Sequence, residues 1–251
     1  MRNTTPLRIA ALASLALLAG CASGQPAFSR MSADSLLQYG LGKLEARDWD
    51  DAVQALQQFT FQFPAHERYQ EARFRLADAY FGKKEFITAI AEYSRLAGDY
   101  PQGEYSDDAR FRACESYTRL SPKVQLDQQY TQSALDHCES LVAYFPDSPF
   151  TPRARELAED MKNKLAEKMF LAGDFYLKLG AYDSAVKYFD DTLKTYPNAK
   201  VTPRVLFRMF EAYQQMGYAD EAKDVRERLI RDFPTSEEAR RIQAISVAGR
   251  M

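Results

Sequence analysis

An aromatic-proline pair recurs five times along this 251-residue chain, as Phe63-Pro64, Tyr100-Pro101, Phe145-Pro146, Tyr196-Pro197 and Phe233-Pro234. Twelve residues before each proline stands an alanine: Ala52, Ala89, Ala134, Ala185 and Ala222. A spacing kept in every copy means that one supersecondary unit is stacked several times, rather than one core being assembled from unrelated pieces. The spacing suits a pair of helices. A small residue lets two helices approach, and apolar residues at i, i+3, i+4 and i+7 form the buried stripe. Proline, which has no N–H and whose ring blocks the preceding turn, stops the second helix.

The pattern resembles the tetratricopeptide repeat, which also has a small residue and a tyrosine on its first helix. Ala77 and Tyr80, Cys114 and Tyr117, and Gly173 and Tyr176 fill those places, while the first unit departs with Lys43 in place of the tyrosine. The resemblance covers about residues 33–238 and implies an all-α superhelix of five helix-turn-helix repeats. Successive prolines are 37, 45, 51 and 37 residues apart, so two units are enlarged. Tyrosine to alanine is 9 residues in units two, four and five but 17 in unit three, which places an eight-residue insertion around 121–127, within 119–131. The other fourteen residues lie between Pro146 and Phe170. Fourteen residues are about 3.9 helical turns and keep helical phase. With no proline and no early glycine, 153–179 reads as one helix of about 27 residues. It joins an N-terminal half, 32–146, with three repeats, to a C-terminal half, 147–238, with two, leaving 239–251 as a tail.

The N-terminus reads as a targeting device. Basic Arg2 and Arg8 precede an apolar run at 9–18 that is short for a membrane span, and Leu18-Ala19-Gly20-Cys21 follows. This resembles a bacterial lipoprotein signal, which implies removal of residues 1–20, acyl chains on Cys21 and a lipidated tether at 21–31. Multi-chain anchoring is strong, because each buried CH2 contributes roughly 0.8 kcal/mol. In that class an aspartate after the cysteine retains the protein in the inner membrane. Ala22 stands there, which points to the outer membrane with the body facing the periplasm. Without the first 20 residues, 31 basic and 35 acidic residues leave a charge of −4, so no nucleic-acid partner is expected.

The lipobox, the five repeats, the insertion in the third and the long helix into the fourth together resemble the BamD (ComL) family, tetratricopeptide lipoproteins of the β-barrel assembly machinery. The most specific stretch is Phe145-Pro146-Asp147-Ser148-Pro149-Phe150 followed by Leu165-Ala166, Ala172, Phe175-Tyr176 and Gly180-Ala181-Tyr182. The segment 126–131 is similar to the family's Asp-Arg-Asp-containing insertion but lacks its arginine. The resemblance implies a scaffold whose C-terminal half docks on the periplasmic domains of the barrel-forming partner. Unfolded outer-membrane proteins would meet its N-terminal half, and other assembly lipoproteins would join it. Repeat folds host many functions. Two alternatives are a periplasmic adaptor for cell-wall or Tol-system factors and a pilotin-like lipoprotein for secretin assembly. Only about ten residues separate Cys21 from the first helix, leaving no room for the coiled coil of the former; the long helix argues against the latter.

Catalytic chemistry finds little support. The two histidines, His66 and His137, have no second histidine or paired cysteine at ligand spacing, and there is no glycine-rich phosphate loop. No enzyme activity, no metal and no cofactor beyond the acyl chains are expected. Cys114 takes the small-residue place on the first helix of unit three, and Cys138 follows Ala134 by one turn on the second. Both should point into one seam. Either a disulfide forms there or, as the plainer reading has it, two buried thiols pack as small hydrophobes.

Units two to five share Phe-x-x-x-acid-x-Tyr on their first helices: Phe74/Asp78/Tyr80, Phe111/Glu115/Tyr117, Phe170/Asp174/Tyr176 and Phe207/Glu211/Tyr213. Phenylalanine and acid, at i and i+4, share a face, and the tyrosine turns about 200° away from the acid. In the repeat register that shared face lines the concave groove, where it would suit apolar segments with occasional lysine or arginine. Leu37 and Leu41 take the corresponding places in unit one. The expected client groove is therefore Leu37, Leu41, Phe74, Asp78, Phe111 and Glu115, with Phe170, Asp174, Phe207 and Glu211 as a secondary groove. In the competing use of the same pattern, each phenylalanine packs against the next repeat and each acid is solvated.

Overall fold

The structure, a computed structural model, describes residues 28–248. Among them are eleven α-helices and no strand, after a short 3-10 helix, Phe28–Arg30. The helices are α1 (Ala33–Glu45), α2 (Trp49–Gln62), α3 (Tyr69–Gly82), α4 (Phe86–Asp99), α5 (Ser106–Leu120), α6 (Gln129–Tyr144), α7 (Thr151–Lys178), α8 (Tyr182–Thr195), α9 (Thr202–Met216), α10 (Ala219–Asp232) and α11 (Glu237–Ala248). Each helix packs on the next in sequence, and first helices also touch along their own row, α1 with α3, α5 with α7 and α7 with α9. The more crowded first-helix row is the inner layer of the superhelix. The region expected as a tail, 239–251, instead continues as α11 to Ala248. Ser236 Oγ accepts the Ala239 N–H at 3.1 Å as a cap, Glu237 and Glu238 favour the first turn, and Ala239 and Ile242 are fully buried.

Two turns explain the repeat's sequence markers. Between repeats, the aromatic residue closes the second helix and the proline takes the second place of a turn, where its fixed φ is already suited. These turns close from His66, Gly103, Ser148, Ala199 and Ser236 N–H to the aromatic carbonyls of Phe63, Tyr100, Phe145, Tyr196 and Phe233, at 2.9 to 3.2 Å. Within repeats one, two, four and five, the N–H of Asp48, Glu85, Ala181 and Tyr218 reaches back to the carbonyl of Lys43, Tyr80, Tyr176 and Tyr213 at 2.9 to 3.0 Å. That closure requires a left-handed residue. Gly180 and Gly217 supply it in the C-terminal repeats, and Arg47 and Lys84 do so at φ 58° and 64° in the first two.

In repeats one and four a single pair of positions sets how closely the two helices approach. A Cβ on Gly40 would lie 2.9 Å from Leu56 Cγ, and one on Gly173 would lie 2.5 Å from Phe189 Cε1. Each glycine is thus the space that its partner's side chain fills. The two positions are sixteen residues apart in repeats one, two, four and five: Gly40 with Leu56, Ala77 with Tyr93, Gly173 with Phe189, and Phe210 with Arg226. In repeat three the inserted turn stretches the separation to 24, and the pair is Cys114 with Cys138, joined as a disulfide with Cα atoms 5.0 Å apart. Both cysteines are fully buried, so the bridge stands where Gly40–Leu56 and Gly173–Phe189 close their seams by packing.

The long helix observed, 28 residues, starts two residues before the expected 153. Its first half, Ala154 to Leu165, belongs to the core built on Cys114, Ala134 and Leu141, while Ala166 and Phe170 belong to the core of α8 to α11. A third core serves the first two repeats. The two enlargements meet in space: Lys164 Nζ of α7 donates to Ser121 Oγ at 2.7 Å, and Lys168 Nζ to the Gln125 carbonyl at 2.8 Å. The extra helical length therefore holds the inserted turn.

Two outcomes test the seam. Gly173→Ala should destabilise by about 1–3 kcal/mol through overpacking, and Phe189→Leu should recover part of that loss in a double-mutant cycle read by urea unfolding. Reducing the disulfide should lower stability by about 3 kcal/mol, the loop entropy for a closure of this length. An unchanged urea midpoint in reductant would show that the bridge adds nothing to the packing.

Candidate binding face

The first helices present the chemistry, and the burial of their phenylalanines corrects the groove expected from the sequence. Leu37 is fully buried, and Phe74, Phe170 and Phe207 are buried as well. Leu41 is half-buried against the core of the first two repeats. Phe74 stacks on Tyr105 at 5.2 Å, just before α5, and Phe111 stacks on Phe150 at 4.9 Å, just before α7. These rings glue each repeat to the start of the next, because the rise between repeats brings an aromatic residue over each one. The stretch 145–150 serves the same joint: Ser148 Oγ donates to Asp107 Oδ2 at 2.7 Å while Phe150 covers Phe111.

The acids are not a free row either, since each is engaged by arginine. Asp78 accepts from Arg75 at 2.9 Å and has Arg112 Nε of the next repeat at 3.9 Å. Glu115 accepts from Arg112 at 2.8 Å and from Arg119 at 3.4 Å. In the C-terminal half Asp174 pairs with Lys178 at 2.6 Å and with Arg208 of the next repeat at 2.9 Å, and Arg208 also donates to Glu211 at 2.6 Å. Acid of one repeat and arginine of the next thus form a ladder with two rungs, between repeats two and three and between four and five, while Leu171 stands where repeat four would carry the arginine. The arginines were missed in the sequence, although Arg75, Arg112 and Arg208 each directly follow the motif phenylalanine and stand three residues before its acid.

The second helices tune the ladder. Tyr93 donates its hydroxyl to Asp78 at 2.6 Å. Burial, and then the Asp78 carboxylate, push the Tyr93 phenol up, so it stays a proton donor. Phe189 takes the corresponding place in repeat four, and Asp174 Oδ1, in a residue only 7% exposed, receives no hydrogen bond there. Ion pairing to Lys178 and Arg208 takes the place of the missing hydroxyl.

Cys21, the signal at 1–20 and most of the tether lie outside the described residues. Of the tether, Phe28 rests on Tyr39 with ring centroids 5.6 Å apart. Among the described residues no helix is long and apolar enough to cross a membrane, and no group of three or more His, Cys, Asp or Glu side chains could hold a metal ion. Large apolar side chains remain at the surface on several elements, including Phe61 at 82% exposure and Leu126 in the inserted turn.

Stacked antiparallel helix pairs in two rows define a tetratricopeptide-type repeat protein. The chain belongs to the family described as YfiO, outer membrane lipoprotein, which matches residues 29–229. It is similar to the outer membrane protein assembly factor BamD of Caulobacter vibrioides, 26% identical over 219 residues that cover 86% of this chain and 72% of that one. The protein of the same name from Vibrio cholerae is 23% identical, covering 84% of this chain and 92% of its own. That from Haemophilus influenzae is 25% identical, covering 86% of each. Among solved structures, the TPR2AB-domain:pHSP90-complex of yeast Sti1 aligns with a TM-score of 0.45 at 17% identity, covering 86% of this chain and 83% of that one.

One member of the inner layer yields a pH prediction. Burial first, and adjacent Asp107 second, push the Asp108 carboxyl up. A carboxyl that binds its proton more tightly when folded loses stability as pH rises past its unfolded value, so ionised Asp108 opposes folding at neutral pH. Asp108→Asn should raise the urea midpoint at pH 7, by an amount that vanishes once the pH falls below the ordinary carboxylate range. A gain that persists at low pH would assign the effect to packing instead.

Proposed function

We propose that this chain is a non-enzymatic scaffold of outer-membrane protein assembly, held to the outer membrane by acyl chains on Cys21 with its repeats in the periplasm. The observation that carries this reading is the family match over residues 29–229, which runs across the repeats, with relatives named as assembly factors. In this reading the C-terminal half receives the periplasmic domains of the barrel-forming partner, other assembly lipoproteins join the complex, and unfolded outer-membrane proteins meet the N-terminal half.

Client contact in that half falls on the ladder and not on the buried rings. Asp78 and Glu115, with Arg75 and Arg112 between them, form the polar track, and the half-buried Leu41 and Phe111 supply its apolar edges. A client strand of alternating apolar and charged residues would exchange its own charges into the ladder.

The acylated full-length chain, captured from detergent-solubilised outer membranes, tests the assignment. A barrel-forming assembly protein is expected as the dominant co-purifying species, and it should be lost when the 147–238 half is replaced by unrelated repeats. Recovery of cell-wall, Tol-system or secretin components in its place would overturn the reading.

A further inference from the structure

A small polar cavity of about 120 Å³ lies between α7, α9 and α11. The buried rings of Phe170 and Phe207 line it, and a guanidinium covers each: Arg204 over Phe170 at 4.3 Å and Arg241 over Phe207 at 4.7 Å. A guanidinium held flat on a ring loses side-chain freedom while its N–H edge stays open for paired hydrogen bonds. Arg208 completes a set of three cations on the lining.

Two of the three are already engaged. Arg204 forks onto Glu167 at 2.9 and 3.1 Å, and Arg208 is shared by Asp174 and Glu211. Arg241 has no carboxylate at ion-pair distance among the described residues, so its planar donor edge is pre-positioned and unused. With Glu167, Asp174 and Glu211 engaging Arg204 and Arg208, Arg241 is the guanidinium of the lining left without a carboxylate among the described residues. One carboxylate would satisfy its donor edge. A phosphate dianion would meet both lining carboxylates, Asp174 and Glu238.

From this geometry we infer that the cavity is a recognition pocket for a single carboxylate carried by a protein segment, held by Arg241 with Arg204 beside it. Paired hydrogen bonds from a fixed guanidinium match the planar carboxylate and supply both charge and orientation. The pocket exists because α11 packs back on α9, bringing Arg241 over Phe207. This inference goes beyond the assembly reading: it concerns ligand chemistry and holds whichever protein supplies the segment.

The test uses the full chain in detergent, labelled with ¹⁵N-arginine, and follows the side-chain Nε–Hε resonances of Arg241 and Arg204. Acetyl-Gly-Glu-Gly-amide probes a side-chain carboxylate and acetyl-Gly-Gly-Gly a C-terminal one, with the Gln peptide and the triglycine amide as their neutral counterparts. At least one carboxylate probe should shift both resonances saturably, and its neutral counterpart should bind at least about tenfold more weakly, as expected for losing a charged hydrogen-bond partner. Whichever carboxylate binds identifies the source. Arg241→Gln should weaken the Arg204 response by a similar factor with the helical circular dichroism unchanged; should that variant fail to fold, Arg204→Gln read at Arg241 replaces it. Equal binding of neutral and charged peptides, no saturable shift with either carboxylate, or tighter binding of sulfate than of both would overturn the proposal.

Discussion

The seams of repeats one and four depend on the contact between a glycine on the first helix and the side chain sixteen residues later on its partner. Where Gly173 faces Phe189, the ring occupies the space a methyl group would need, and Gly40 stands in the same relation to Leu56. Because packed interiors leave little slack, this contact fixes helix separation to within a few tenths of an ångström. The turns then have one length to span. Repeat three departs by lengthening its turn, and there a covalent bond between Cys114 and Cys138 takes over the task that packing performs elsewhere. A bond tolerates the longer connection because it does not rely on the turn to bring the helices into register.

With the seams fixed, the inner layer follows from the joints between repeats. Phe74 and Phe111 stack on the start of the next repeat and Phe170 and Phe207 lie under arginines of α9 and α11, so arginine and carboxylate are the groups that face outward most. Their pairing across repeats, Asp78 with Arg112 and Asp174 with Arg208, ties the surface chemistry to the curvature of the stack. A change in the angle between neighbouring repeats would alter the ladder before it disturbed any core.

Much of the architecture was legible because its markers are local backbone requirements. The aromatic-proline pairs are read directly from what a proline can do at a turn, the alanines from what a close approach demands, and the length of α7 from phase. The face of the phenylalanines was equally legible, but what covers that face was not. The partner of Phe74 is Tyr105 and that of Phe111 is Phe150, contacts 31 and 39 residues away whose existence depends on the rise between repeats. The arginine ladder lay at a fixed offset in the sequence, yet its meaning needs the same inter-repeat geometry. Helix α11 read as a tail because its sequence carries no aromatic-proline pair; only Ala239 and Ile242 hint at its buried face.

Helix α7 spans two of the three cores without a break, and at 1.5 Å per residue it is about 42 Å long. An array of repeats usually melts piecemeal, since each unit meets only its neighbours and the weakest junction can open alone. Here the junction between repeats three and four is not an interface at all but the interior of one helix, and Leu165 and Ala166 serve different cores from adjacent positions. Parting the two halves would require breaking backbone hydrogen bonds in mid-helix, so they behave as one cooperative body. A displacement of either half would therefore be felt along the backbone of α7, which both cores share.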